Sequence, residues 1–577
     1  MLPDDVINTS SGRLLPATGW NGIATAVCEL TERLPKYSET PLPGTLISVG
    51  PDTFIHDFAA ISSFALQATF TPDQSLAQRL LTAQRPALGI PALPKQYVAK
   101  VFDGASPYNA NGSGELSSFV DELLGLKRTH YEGALRAIRR HVTAMHRLAD
   151  DLDLAYALLV ASIESLAQEF DGFVPEWKDY DPKKRKSLDE ALKNAPDETA
   201  FSVRKAILDS EHVAIRRRFS EFCMSHLGTS FFRHEAAARS APVGKSDLAL
   251  SLKRAYELRS RYVHSLVPLP KNLVSSPSFN DILTVDFKPH LTFEGLARVS
   301  RTVIREFIGR APKTTQERYE FTNAYPNLLR MQMAPQYWIH NANDFSHKNS
   351  YLYLSAFLSQ VTEYLLDQTK QVTDIRAVTN KIEALLPALA KPEQRRPMLS
   401  LHYLFGHYLP RNERSEAIER VRTYLSDLDA PSSESLALYA YEGRTPDWQA
   451  NAAEEVLQDY MERRYSSEGF DAGPILGAAM ALTVAEMYRP TDEGSAHRLI
   501  SWAVDQFPGL SKLREYETSL TKNELAPIRW WDVLLPSQAS DATKSVTRPI
   551  RRLEKLNRRL ASRSKRQRQR RRRSKFK

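Results

Sequence analysis

The chain has 577 residues, which at about 100–200 residues per domain predicts three or four domains. With 42% apolar and 25% charged residues it has the composition of an ordinary folded protein, so wholesale disorder and fibrous or collagen-like repeats are excluded. The net charge of +9 is unevenly placed: residues 548–577 hold 16 Lys and Arg against the single acid Glu554, a local +15, and residues 1–547 carry −6.

The first thirty residues include Asp4, Asp5 and Glu29 and no basic stretch leading into an apolar one, so no signal peptide is read there and a cytoplasmic location is expected. Residues 1–100 are the richest in Pro and Gly. Short runs at 45–49, 53–57 and 64–70, each bounded by Gly, Pro or Asp, are the strand candidates, and 1–115 is expected to form a small α+β domain. Segment 101–114, with Gly104, Pro107, Asn109, Asn111, Gly112 and Gly114, reads as a loop, and Ser117 or Ser118 is placed to cap the helix after it. Apolar residues then recur at three- and four-residue spacing over 119–126, 131–148 and 152–170, where Ala155, Leu158, Leu159, Ile163 and Leu166 share a face. A charged, Pro-interrupted stretch at 177–196 reads as loop or exposed helix. Helices follow over 201–224, 246–263 and 292–308, with a Pro-rich break at 268–277, so 116–312 is expected to be a helical domain.

Beyond it, helices over 351–366, 374–389, 415–428, 448–464, 474–487 and 496–507 make 313–545 a C-terminal helical domain, spaced like stacked helical hairpins in a solenoid but without a 34-residue repeat. The architecture expected is therefore mainly α and multidomain. The longest charge-free helical stretches, 154–163 and 472–485, fall short of the ~20 apolar residues of a membrane span, so no membrane partner is expected. Residues 546–577 form a basic tail in which Leu553, Leu556 and Leu560 suggest a short amphipathic helix. Arg558, Arg559, Arg563, Lys565, Arg566, Arg568, Arg570, Arg571, Arg572 and Arg573 are its candidate nucleic-acid contacts. A dense run of cations releases counterions from a phosphate backbone without reading its sequence, so a nucleic acid is the expected partner, RNA (tRNA, rRNA or the ribosome) or DNA, with an acidic lipid surface, a protein partner and a merely solubilising tail left open.

Several kinds of chemistry are missing. Gly244-Lys245-Ser246 ends like a phosphate-binding P-loop, but position 239 is Arg where the first glycine belongs. No His-Glu-x-x-His or Gly-x-Ser-x-Gly motif occurs. His141 and His146, five residues apart, diverge by about 140° on a helix and are expected to be surface or capping residues. Asp150, Asp151 and Asp153 precede an apolar helix and are expected to serve its positive end rather than a metal. Two cysteines, Cys28 and Cys223, support neither a disulfide framework nor a Cys-based metal site. No metal or other cofactor is expected.

One constellation carries chemistry. Residues 248–264 end an amphipathic helix in Tyr256-Glu-Leu-Arg259-Ser260-Arg261-Tyr262-Val263-His264, just before the Pro-rich stop. Metal-free RNA cleavage needs a group that moves protons to and from sugar oxygens, which suits a histidine. It also needs a fixed cation on the phosphoryl oxygens, which suits an arginine. The spacing alone recurs by chance, at Arg136/His141 and at Arg396/His402. What distinguishes 259–264 is Tyr256 and Tyr262 around the pair and, about 95 residues upstream, a lone acid in an apolar helix, Glu164, able to orient Arg259 or to serve as a structural partner.

This Tyr-x-x-Arg-Ser-x-x-x-His segment, with the helix pattern over about 145–310, resembles the HEPN superfamily, and in particular its large bacterial members of phage-defence type. The resemblance implies a helical bundle whose two copies pair, each bringing Arg259 and His264 to a shared cleft. It implies metal-independent cleavage that leaves a 2′,3′-cyclic phosphate and a 5′-hydroxyl, used in antiviral defence or as a regulated toxin under a protein trigger. Many members carry Asn, Asp or His directly after the arginine, where this chain has Ser260. Ser260, Glu164 and Tyr262 are the supporting residues expected around the pair. Two other readings stay open: a non-enzymatic scaffold with a nucleic-acid-binding tail, in which Arg259 and His264 complement the negative end of their helix, and a DNA-binding accessory protein resting on the tail alone.

Overall fold

The computed structural model describes residues 6–20, 23–31, 45–102, 112–173, 176–210, 215–237, 239–318, 325–331, 333–520 and 525–535. Most of the expected loop at 101–114 and the whole basic tail, with its ten candidate cations from Arg558 to Arg573, lie outside them. The chain divides into two compact units, residues 1–40 with 46–330 and residues 41–45 with 331–577.

The first unit opens with a three-stranded antiparallel sheet, β1 (Ile7–Asn8), β2 (Gly12–Trp20) and β3 (Ile23–Leu30). The strand β4 (Thr45–Ser48) follows. The expected strands at 53–57 and 64–70 are not strands: Asp52–Leu66 is one helix, α1, whose Phe58, Ile61, Phe64 and Ala65 are buried at helical spacing. Ser117 and Ser118 are not caps either, since α2 (Gly112–Leu124) begins before them. Two long helices form the heart of the unit, α3 (Arg128–Arg147) and α4 (Leu152–Phe170). The Asp151 carboxylate accepts from Leu154 N and starts α4, and the run from Ala155 to Ala167 buries nearly every apolar side chain.

Next come α5 (Ile215–His226) and α6 (Lys245–Ser265), both packed on α4. A hairpin missed by sequence patterning, β5 (Ile282–Val285) and β6 (Lys288–Leu291), lies against α6, and α7 (Phe293–Arg310), capped by the Thr292 hydroxyl, closes over α3 and α4. One apolar cluster runs from Ile7 to Ala311 without a break at 115.

Apart from the strand residues Thr45 and Met331, the regular structure of the second unit is helical among its described residues. Its axis is α8 (Gly473–Tyr488), in which every residue from Ile475 to Ala485 is buried. A helix apolar on all sides must be wrapped by others. Ser433–Glu442, Ala450–Arg463 and Glu493–Gln506 do this here. Pro392–Gly406, with Pro397 inside it, is a further helix that sequence patterning passed over.

Candidate functional site

The buried stripe of α6 is Leu248, Ser251, Leu252, Ala255 and Leu258, recurring at three and four residues. Tyr256 and Arg259 flank that stripe one turn apart and reach the same residue of α4, Glu164. Arg259 Nη2 lies 2.5 Å from Glu164 Oε2, and the Tyr256 hydroxyl donates to Glu164 Oε1 at 3.1 Å. Gln168 Nε2, one turn on along α4, lies 3.4 Å from the same Oε1. The Arg259 guanidinium also sits 5.9 Å from the centre of the Tyr256 ring, which packs on Phe219 of α5. The Glu164 side chain is 6% exposed and that of Arg259 20%. Arg259 Nε is buried and has no hydrogen-bond partner among the described residues.

Burial sets the electrostatics of this cluster. It raises the Glu164 carboxyl above its ordinary range, while the Arg259 charge, the Tyr256 hydrogen bond and the His264 charge each pull it back. Burial, reinforced by Glu164, pushes the Tyr256 phenol up to about 12, so it stays a proton donor to the carboxylate. Arg259 is thus gripped at one edge by a carboxylate with an aromatic ring beside it, which holds its guanidinium in one orientation.

His264 stands in the last turn of α6, exposed to solvent. The helix runs unbroken through both residues to Ser265 and ends only where Leu266 turns left-handed at φ 51°. Arg259 and His264 therefore diverge by about 140° around one helix, and the structure does not bring them into contact within one chain. His264 comes close enough to act on Glu164 through its charge, and no described residue hydrogen-bonds it. Val263, Leu266 and Val267 around it are exposed apolar side chains. Ser260 is half-buried, with no hydrogen bond to Arg259. Tyr262 is half-buried and lies toward Asp151 and Asp153, whose charges raise its phenol further above what burial does, so it does not join the Glu164 cluster.

His141 is a correction. It is buried rather than at the surface, with Nδ1 2.9 Å from Ser300 Oγ, which in turn meets Ser162 Oγ at 2.8 Å. Burial and the nearby Arg301 charge lower its imidazole to about 3, so it is neutral and structural. His146 is half-buried and lowered to about 4, chiefly by burial. The three aspartates divide their work: Asp151 caps α4, Asp150 pairs with Arg147 and Arg79, and Asp153 accepts from Leu269 N at 2.6 Å. No group of three or more His, Cys, Asp or Glu able to hold a metal occurs among the described residues. Both cysteines are free, Cys223 fully buried. A cavity of about 730 Å³, lined by Phe54, Phe58, Leu123, Arg128, Tyr131 and Arg139, lies elsewhere in the first unit and shares no residue with the Glu164 cluster.

No protein family, curated protein or solved structure matches this chain. No described helix is long and apolar enough to cross a membrane. Sequence reasoning named Arg259, His264, Glu164 and Tyr256. It missed Gln168, whose only signal was its place four residues after Glu164, on the same helical face.

Proposed function

We propose that the chain is a metal-independent endoribonuclease of HEPN type, cleaving RNA by attack of a 2′-hydroxyl on the adjacent phosphate. The observation that carries the reading is the anchoring of Arg259 by the Glu164 carboxylate and the Tyr256 ring while His264, five residues on, is free and solvent-facing. The 2′-oxygen bonds to phosphorus as it loses its proton, and the bond from phosphorus to the 5′-oxygen breaks as that oxygen gains one. The products are a 2′,3′-cyclic phosphate and a 5′-hydroxyl, with no water consumed. Histidine suits the proton transfers, and an oriented arginine suits the negative charge on the phosphoryl oxygens.

Because the two residues diverge on α6, the shared cleft is proposed to form between two copies of the chain, with the apolar Val263, Leu266 and Val267 at the pairing surface. The second unit is proposed to act as a solenoid-like sensor or substrate selector, and the tail to hold RNA or a ribosome, as in a regulated toxin or antiviral defence protein. These last assignments rest on family likeness.

The test is cleavage of total RNA in EDTA by the intact protein, Arg259→Ala and His264→Ala, with analysis of product ends. Cyclic phosphate ends that disappear in both variants are expected. Activity that survives both substitutions, or none with any trigger, would sink the reading in favour of the scaffold.

A further inference from the structure

The β5–β6 ribbon has an unusual tip. Its two-residue turn is Asp286-Phe287, both with positive φ, 48° and 57°. Such turns favour Asn-Gly, because a side chain in the left-handed region crowds its own backbone, and for a bulky aromatic the conformation is a real cost. Phe287 gains nothing from packing in return, since it is fully exposed. A strained aromatic held out in water is the reverse of what stability alone selects. Phe279, at the base of the ribbon, is a second exposed ring.

The surroundings are cationic. Arg254 Nη1 donates to Pro289 O at 3.2 Å and fastens β6 to α6. Arg261, two turns further along α6 and on nearly the same face, is exposed, and Lys288 is exposed beside the tip. Neither has an acidic partner among the described residues. Glu257, one turn before Arg261 on α6, is occupied by Arg216 at 2.7 Å, and Asp286 sits on the turn itself. The charges of Arg254 and Arg261 both reach His290 of β6 and add to the lowering that burial causes. His264 follows Arg261 by one turn on the same flank of α6.

We propose that this ribbon is a contact for single-stranded RNA, with Phe287 stacked on an unpaired base and Lys288, Arg254 and Arg261 holding the phosphates beside it. Aromatic platforms flanked by cations are how unpaired strands are held without sequence reading. The inference rests on RNA being the substrate at Arg259 and His264, and it makes that substrate single-stranded near the cut.

The full-length protein is titrated with a fluorescein-labelled, non-cleavable 2′-O-methyl RNA 12-mer and with a 12-base-pair duplex of the same chemistry. Phe287→Ala should weaken the single strand by about 5- to 140-fold, the effect of one stacked base, and leave the duplex unchanged. Phe287→Tyr should bind like the parent. Phe287→Gly, relieved of the turn strain, should bind as weakly as Phe287→Ala while melting no lower than the parent. In a parallel arm, single-stranded RNA carrying 5-iodouridine should photocrosslink to the peptide containing Phe287. Unchanged single-strand affinity in Phe287→Ala, or crosslinks confined to other peptides, overturns the proposal. Binding never involves cleavage in this assay, so Phe287-dependent binding with no ribonuclease activity would count against the catalytic reading alone.

Discussion

Glu164 is a buried carboxylate whose ionisation the fold disfavours despite a cation 2.5 Å away. A carboxyl raised in the folded chain keeps a proton that the unfolded chain has released. Stability therefore falls as pH rises from the ordinary carboxylate range, near 4.5, through the raised value. For the Glu164 carboxyl, loss of water outweighs the pull of Arg259 and Tyr256, so the contact is placed to orient Arg259 rather than to brace the fold. Replacing Glu164 by Gln should remove the fall, leaving the variant as stable as the parent in acid and equally or more stable at neutral pH in urea titrations, while its RNA cleavage drops. Lower stability of Glu164→Gln at neutral pH, with cleavage intact, would make the pair a structural brace. This site was half legible: a lone acid in an apolar helix and an Arg-Ser-x-x-x-His end stand out in one dimension. That Tyr256 bonds Glu164 while Tyr262, six residues later, turns toward Asp151 and Asp153 depends on how α6 crosses α4, which local spacing does not encode.

At the scale of elements, the starts of α6, α7 and the β5–β6 ribbon meet at Asp281. Its carboxylate accepts from Val243 N at 2.9 Å and binds Arg298, its N–H donates to Ala241 O, and its carbonyl accepts from Thr292 N. Gly295, in the first turn of α7, packs on that carbonyl so closely that a Cβ would overlap it. Gly295→Ala should therefore destabilise the first unit by about 1–3 kcal/mol, read as a fall in its thermal midpoint. An unchanged midpoint would mean that the first turn of α7 can move off Asp281. These junctions explain which elements sequence patterning found. α4 was read to the residue because its apolar period starts at a capping aspartate. The run 53–57 looked like a strand because Thr53, Phe54 and Ile55 favour strands and Asp57 looked like a boundary, yet Asp57 is held by Arg139 of α3 and the helical period continues past it. β2 was passed over because Leu14 is its one buried residue among those described, so no alternation marks it. The β5–β6 turn was passed over because it lacks glycine.

For the whole molecule, the decisive asymmetry is electrostatic: residues 1–547 carry −6 and residues 548–577 carry +15. A body of net negative charge repels a polyanion at long range, so the attraction that the proposed RNA partner requires has to come from the tail, with the cations of α6 and the ribbon acting only at short range. The two contributions differ in their response to salt. Each phosphate neutralised on a single strand contributes about −0.7 to the slope of log affinity against log salt concentration, whereas base stacking contributes almost nothing. Removing 548–577 should thus flatten that slope by about 0.7 for every phosphate the tail engages, and the remaining affinity should still depend on Phe287. On the proposed reading, cleavage at saturating RNA should be unaffected, because Glu164, Tyr256, Arg259 and His264, and not the tail, carry the chemistry. Titrations at two or more salt concentrations, paired with cleavage rates at saturation, separate the outcomes. A slope that survives truncation would place the phosphate contacts on the folded body, and a cleavage rate lost at saturation would make the tail part of the reacting site rather than a means of holding RNA near it.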